Sequence, residues 1–279
     1  GRGAEIRLAT ARAQDRMIRI KRGSEVDTCP ELAEVREREL ARVQSCIDAG
    51  AVVNDELLGK EYKIARGALA EAQAMKCCYC EQRQQSVKWK HVEHFRPRSA
   101  YWWLSWTWDN LLFACEQCNT SKGAEFPIAS DSTRLLAGEQ PPGSEVPLLI
   151  HPAQDDPRQH IQFVPAANFW FPRSRDGSAR GSRTLQALAW TEDRALAKPG
   201  LLESWRRRAD ELRSCVSAIE SAIESNDGDR VRRVWEVQTT RFRVARAEYV
   251  ALSIDVLDRS FPEHVRRRWG LSLDVIEVS

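Results

Sequence analysis

Apolar residues recur at helical spacing towards both ends of the chain and lose that period in the middle. Leu32, Val35, Leu40, Val43 and Ile47 stand at intervals near 3.6, with Gly50 where a C-cap belongs, so the spacing predicts a helix starting at Pro30. A second amphipathic stretch follows from Asp55, with Leu58, Tyr62, Ala65, Leu69 and Ala72 on one face. In the last third, Trp205, Leu212, Val216, Ile219 and Ile223 form one stripe and Val231, Val234, Gln238, Phe242, Ala245 and Tyr249 another. The turn Asn226-Asp227-Gly228 separates them, which predicts a packed helical hairpin.

The middle of the chain reads differently. Residues 77–128 are rich in Cys, Trp and His and strand-like at VKWKHVEHF (87–95). A loop-rich belt follows at 129–184, holding PPGSEVP, RDGSARGS and two short strand candidates, IQFVP and NFWF. The expected fold is therefore α+β and mainly helical. A helical region at 17–76 and another at 185–279 flank the Cys-rich module and the belt. Residues 1–16 precede the first methionine, Met17, and are set aside as an extension of uncertain origin.

Composition narrows the function classes. No apolar run approaches the ~20 residues of a membrane span, and the N-terminus lacks the uninterrupted apolar core of a secretory signal, so a cytoplasmic protein is expected. The formal charge of +2 is too mild to point to nucleic acid by itself. Chemistry enters with the cysteines. Three of the eight, Cys29, Cys46 and Cys215, are scattered through helical patterns and read as small buried hydrophobes. Cys77, Cys80, Cys115 and Cys118 form two C-x-x-C knuckles, a spacing that lets two pairs of thiolates close a tetrahedral structural zinc site. Cys78 does not satisfy that spacing and is left out.

The knuckles are separated by 34 residues, 81–114, about twice the gap of an ordinary zinc ribbon, so something is folded between them. There lie Glu93-His94, then Phe95-Arg96-Pro97-Arg98, then Trp108-Asp109-Asn110-Leu111; Asn119 and Lys122 follow the last cysteine. In this order CCYC…VEHFRPRS…WDNLLFACEQCNTSKG resembles the HNH nucleases, the ββα-metal fold, in their zinc-stapled form. The resemblance implies a metal-dependent endonuclease with Glu93 and Asn119 on a catalytic divalent cation, Mg²⁺ or Mn²⁺, which suits two hard oxygen donors. It implies His94 as general base, Asn110 as the brace of the loop carrying it, and Arg96, Arg98 and Lys122 on phosphates of a DNA backbone. His91 is an optional further ligand, or a strand histidine packed near Trp89. The aromatics Tyr101, Trp102, Trp103, Trp106 and Trp108 are expected to bury against the module rather than stack on bases.

Narrower likeness, carried by FRPRSAYWWLSWTWDNLLFACEQCNTSKGAEFP, EVPLLIHPAQDDPRQHIQF and RTLQALAW, is to the HNH proteins of retron and Septu-type antiphage systems. This implies a partner ATPase of the ABC/SMC-like class; the chain itself has no G-x-x-x-x-G-K-[ST]. Two other readings share these residues: a zinc-stabilised binding module without catalysis, and an RNA-directed nuclease.

Overall fold

The computed structural model describes residues 20–86, 91–166, 169–191 and 199–277; the extension at 1–16, the VKWK half of the predicted strand and Asn168 of NFWF lie outside them. The N-terminal region forms α1 (Glu25–Thr28), α2 (Glu31–Asp48), α3 (Asp55–Leu58), a 3-10 turn (Glu61–Ala65) and α4 (Arg66–Ala72). Helix α2 is the one predicted from Pro30, and it buries Leu32, Val35 and Val43. The second predicted helix is broken into three pieces. Gly59 at φ +63° ends α3 in a conformation that disfavours a side chain, and the tighter 3-10 turn joins it to α4.

The centre follows the ββα order. Strands β1 (His91–His94) and β2 (Leu111–Ala114) pair antiparallel, His91 opposite Ala114 and His94 opposite Leu111, and α5 (Glu116–Lys122) follows directly. Alternation along β2 sends Leu111 and Phe113 into a core with Val92, Trp106, Trp108 and helices α2 and α4. Leu112 and Ala114 face a second core, shared with the C-terminal helices. Burial on both faces explains why β2 reads as an unbroken apolar run. Its free edge is covered by Gln73, whose amide donates to Phe113 O and accepts from Phe113 N, each at 2.8 Å. Tyr101, Trp103, Trp106 and Trp108 are buried and Trp102 partly so, sealing the module to its neighbours as expected.

Strands β3 (Ile161–Ala166) and β4 (Phe169–Ser174) form a second antiparallel hairpin. Beyond it come α6 (Ala179–Ala187), α7 (Pro199–Glu224), α8 (Gly228–Arg243), α9 (Val250–Ser260) and α10 (Glu263–Trp269). Helix α6 runs across the expected boundary at residue 184, so the loop-rich belt ends earlier, at 178. Helices α7 and α8 form the predicted hairpin, and the Asp227 carboxylate caps α8 by accepting from the Asp229 and Arg230 N–H groups. Ala245 and Tyr249, the last two positions of that stripe, fall beyond α8 in the segment that grips the first knuckle. There the Lys76 ammonium donates to the carbonyls of Ala245 (2.7 Å) and Ala247 (2.8 Å). Among the described residues no helix is long and apolar enough to cross a membrane.

The belt is tied to the centre by His151. Its Nε2 donates to Asp109 O at 3.0 Å and its Nδ1 accepts from Ala153 N at 3.1 Å. Burial lowers the ring's pKa from 6.5 to about 4. The unfolded chain takes up this proton near pH 6.5 and the folded chain does not until about pH 4, so stability present at neutral pH is lost as pH falls through that window. The advantage of wild type over His151→Gln in unfolding free energy is expected to shrink by about 2 kcal/mol between pH 8 and pH 5. Urea titrations at both pH values check this, and an advantage that does not change with pH refutes it.

Candidate active site

The two knuckles meet. The Sγ atoms of Cys77, Cys80, Cys115 and Cys118 all lie within 4.8 Å of one another, and all four residues are buried. Cys80 and Cys115 sulfurs are 3.9 Å apart, close to the roughly 3.8 Å edge of a tetrahedron with zinc–sulfur bonds of about 2.3 Å. The donor set therefore fits a closed structural zinc site. Cys115 also N-caps α5, its sulfur accepting from Cys118 N at 3.4 Å. The hydrogen bond with Cys118 draws the Cys115 thiol below its usual range. Burial pushes Cys77 up, but hydrogen bonds with the surrounding thiols outweigh it and leave Cys77 well below. Hydrogen bonds with the same neighbours hold the Cys80 and Cys118 thiols well above that range, so the four do not ionise together by themselves. A bound cation would favour the thiolate form of all four. Cys78 stays outside, its thiol driven well above the usual range by burial.

His94 ends β1. Its Nε2 lies 3.0 Å from the Ser105 carbonyl. A carbonyl can only accept, so Nε2 carries the proton and Nδ1 keeps its lone pair. The ring packs edge-on against Tyr62, centroids 4.6 Å apart. Burial lowers its pKa to about 3 against the pull of the Ser105 hydrogen bond, and the charges of Arg98 and Lys122 add to the effect. The imidazole is neutral at physiological pH.

The Asn110 side chain is buried and hydrogen-bonds two separate stretches of backbone. Its Oδ1 accepts from Arg96 N at 2.7 Å, and its Nδ2 donates to Arg96 O and Leu104 O, both at 3.1 Å. The side chain thus ties the segment after His94 to the segment that ends at Ser105. Removing the amide strands three buried backbone groups, so Asn110→Ala is expected to cost about 1–3 kcal/mol. Denaturant unfolding reads this, and an unchanged midpoint would count against the bracing role.

Neighbouring strand residues point to opposite faces, so Glu93 and His94 leave the end of β1 on opposite sides. Glu93 is 3% exposed; its Oε1 lies 2.7 Å from the Lys122 ammonium and 3.3 Å from the Tyr79 hydroxyl. Burial raises its carboxyl to about 7 against the pull of Lys122. Asn119 stands one turn before Lys122 on α5, half-buried and on the helix face that Lys122 turns towards Glu93. His91 is half-buried and shares the Glu93 face of β1; its expected neighbour Trp89 lies outside the described residues.

Each of the three cations expected on phosphates has a carboxylate partner within the chain. Lys122 is fully buried, its ammonium held by Glu93 and by the His94 carbonyl at 2.9 Å. Arg96 is buried against Glu145, Nε to Oε1 at 2.8 Å, and Glu145 also accepts from the Tyr101 hydroxyl. Arg98, its side chain 12% exposed, lies 3.4 Å from the Asp55 carboxylate and 4.9 Å from the Tyr62 ring centroid. A charge that must be buried is paired: Arg96 and Lys122 are buried against carboxylates, while Arg98 is only partly covered and meets an exposed one. Tyr62, Tyr79, Glu145 and the Ser105 carbonyl were not foreseen. Only Tyr79, inside the first knuckle, stood where attention to sequence could have found it.

Knuckle, strand with Glu-His, strand preceded by Asn, knuckle, helix with Asn is now an observed order in space. Residues 77–125 match the HNH endonuclease family model. The chain is 35% identical to the Septu protein PtuB of Bacillus mycoides (strain KBAB4), over 43% of this chain and 46% of that one. It is 36% identical to the Septu protein PtuB of Bacillus thuringiensis over 37% and 34%, respectively. It is 30% identical to the Septu protein PtuA of Bacillus mycoides (strain KBAB4) over 40% and 17%. The chain thus spans less than half the length of each of these relatives. No solved structure gives a significant match to the chain.

Proposed function

We propose that the HNH domain makes this chain a metal-dependent endonuclease that hydrolyses DNA phosphodiester bonds with His94 as general base. The tautomer of His94 carries this reading. With Nε2 committed to Ser105, the lone pair on Nδ1 can take the proton of a water attacking phosphorus. The Ser105 carbonyl then steadies the imidazolium that forms, and an approaching anionic phosphate raises the basicity that burial has lowered. Glu93 and Asn119, across the end of β1 from the His94 ring, offer hard oxygen donors for Mg²⁺ or Mn²⁺, which when bound would supply positive charge to a phosphate seated over the strand end. Lys122 opposes the effect of burial on Glu93 and so favours its carboxylate form. Asn110 and the zinc site keep the strand end and α5 in place.

The likeness to proteins named Septu PtuB and PtuA supports a role as the nuclease effector of an antiphage system. The same likeness supports a partner, proposed to be an ATPase of the ABC/SMC-like class. The test is cleavage of supercoiled plasmid with Mg²⁺ or Mn²⁺ by wild type and His94→Ala, each alone and co-purified with the adjacent gene product and ATP. Cleavage should require the divalent ion and disappear in the variant; a folded variant that cuts at the wild-type rate overturns the assignment.

A further inference from the structure

With Arg96, Arg98 and Lys122 turned inward, the HNH domain needs another group to meet a polyanion. Lys60 immediately precedes the 3-10 turn at Glu61–Ala65, and Lys63 lies at its centre. A 3-10 helix has three residues per turn, so side chains at i and i+3 eclipse one another. Lys60 and Lys63 therefore share one face, with Arg66 next along it. Both lysines are exposed, and among the described residues neither ion-pairs with a carboxylate. Burial and then the charges of Lys60, Arg66 and Arg98 press the Lys63 ammonium below its usual pKa, which shows how closely these cations gather. Acidic neighbours turn elsewhere: the Glu61 carboxylate folds over Gly59, and Asp55 is taken by Arg98.

Tyr62, a third of a turn round the same 3-10 turn, and Arg98, whose charge acts on Lys63, link this face to the proposed chemistry. Tyr62, between the two lysines, packs on the His94 ring at 4.6 Å and carries the Arg98 guanidinium at 4.9 Å. We infer that Lys60 and Lys63 form a phosphate-binding strip that seats the backbone of duplex DNA beside His94. The inference rests on the nuclease reading and adds to it a surface contributed by the N-terminal helical region, outside the HNH domain. A strip of this kind gives affinity and register but reads no sequence.

The experiment is polarisation of a fluorescein-labelled 20-base-pair duplex titrated with the full chain, without added divalent ion, over a range of KCl concentrations. Lys60→Ala/Lys63→Ala is compared with wild type after confirming equal thermal midpoints. We expect about tenfold weaker binding near 0.1 M salt and a log–log salt slope shallower by about 2, roughly 0.9 for each phosphate that the variant no longer neutralises. An unchanged slope in a variant of a protein that binds and cuts DNA overturns the strip and leaves the nuclease reading standing. A wild type that neither binds nor cuts DNA overturns the nuclease reading itself. Weakening confined to a single-stranded RNA of the same sequence overturns the assignment to duplex DNA.

Discussion

Cys80→Ser and Cys118→Ser are each expected to yield chain that is insoluble or lacks the cooperative unfolding of wild type. The four buried sulfurs sit at the spacing of one tetrahedral ion. Structural zinc binding is worth about 10–16 kcal/mol in small domains, as much as or more than the 5–15 kcal/mol that typically holds a whole protein folded. The damage would not stay local. Cys115 caps α5, and α5 carries both Asn119 and the Lys122 that pairs with Glu93. Cys78 is the internal control: it is buried beside the cluster yet outside it, so Cys78→Ser should keep the metal and a near-native melting curve. Elemental analysis should return one zinc per chain for wild type and Cys78→Ser. Chelation that leaves the thermal transition in place would disprove the four-thiolate site.

For His94→Ala we expect a fall in plasmid cleavage of about 10²–10⁴, the usual contribution of a positioned general base and equivalent to about 3–5 kcal/mol of barrier. The ring fills space against Tyr62, so the alanine variant also leaves a small void. His94→Asn fills more of that space and cannot take the water's proton, and it should be as slow as alanine. Zinc content and circular dichroism matching wild type in both variants separate lost chemistry from lost structure. Rapid cleavage by a folded His94→Asn protein would show that another group takes the proton.

Much of the fold was legible because it rests on local rules. Helix α2 follows from one apolar stripe closed by Gly50, and the hairpin of α7 and α8 from two stripes with an Asn-Asp-Gly turn between. The break at 59–65 was not legible, because the stripe from Leu58 to Ala72 keeps its apolar rhythm through a glycine whose positive φ only the packed chain imposes. The site divides the same way. Two thiolates three residues apart reach one ion whatever surrounds them, so the zinc ligands can be read from spacing.

By itself, then, the sequence determined the ligand pairs, the order of Glu93, His94, Asn110 and Asn119, and the mainly helical surroundings, all of which depend on residues close together in the chain. Only the tertiary structure decided where the cations point. Arg96 meets Glu145, 49 residues away, and Lys122 meets Glu93 across the interface of α5 with β1. A lysine or arginine written in the sequence is equally suited to a phosphate or a buried carboxylate. Which it takes depends on whether folding leaves it in water or closes over it, where an unpaired charge is too costly to survive.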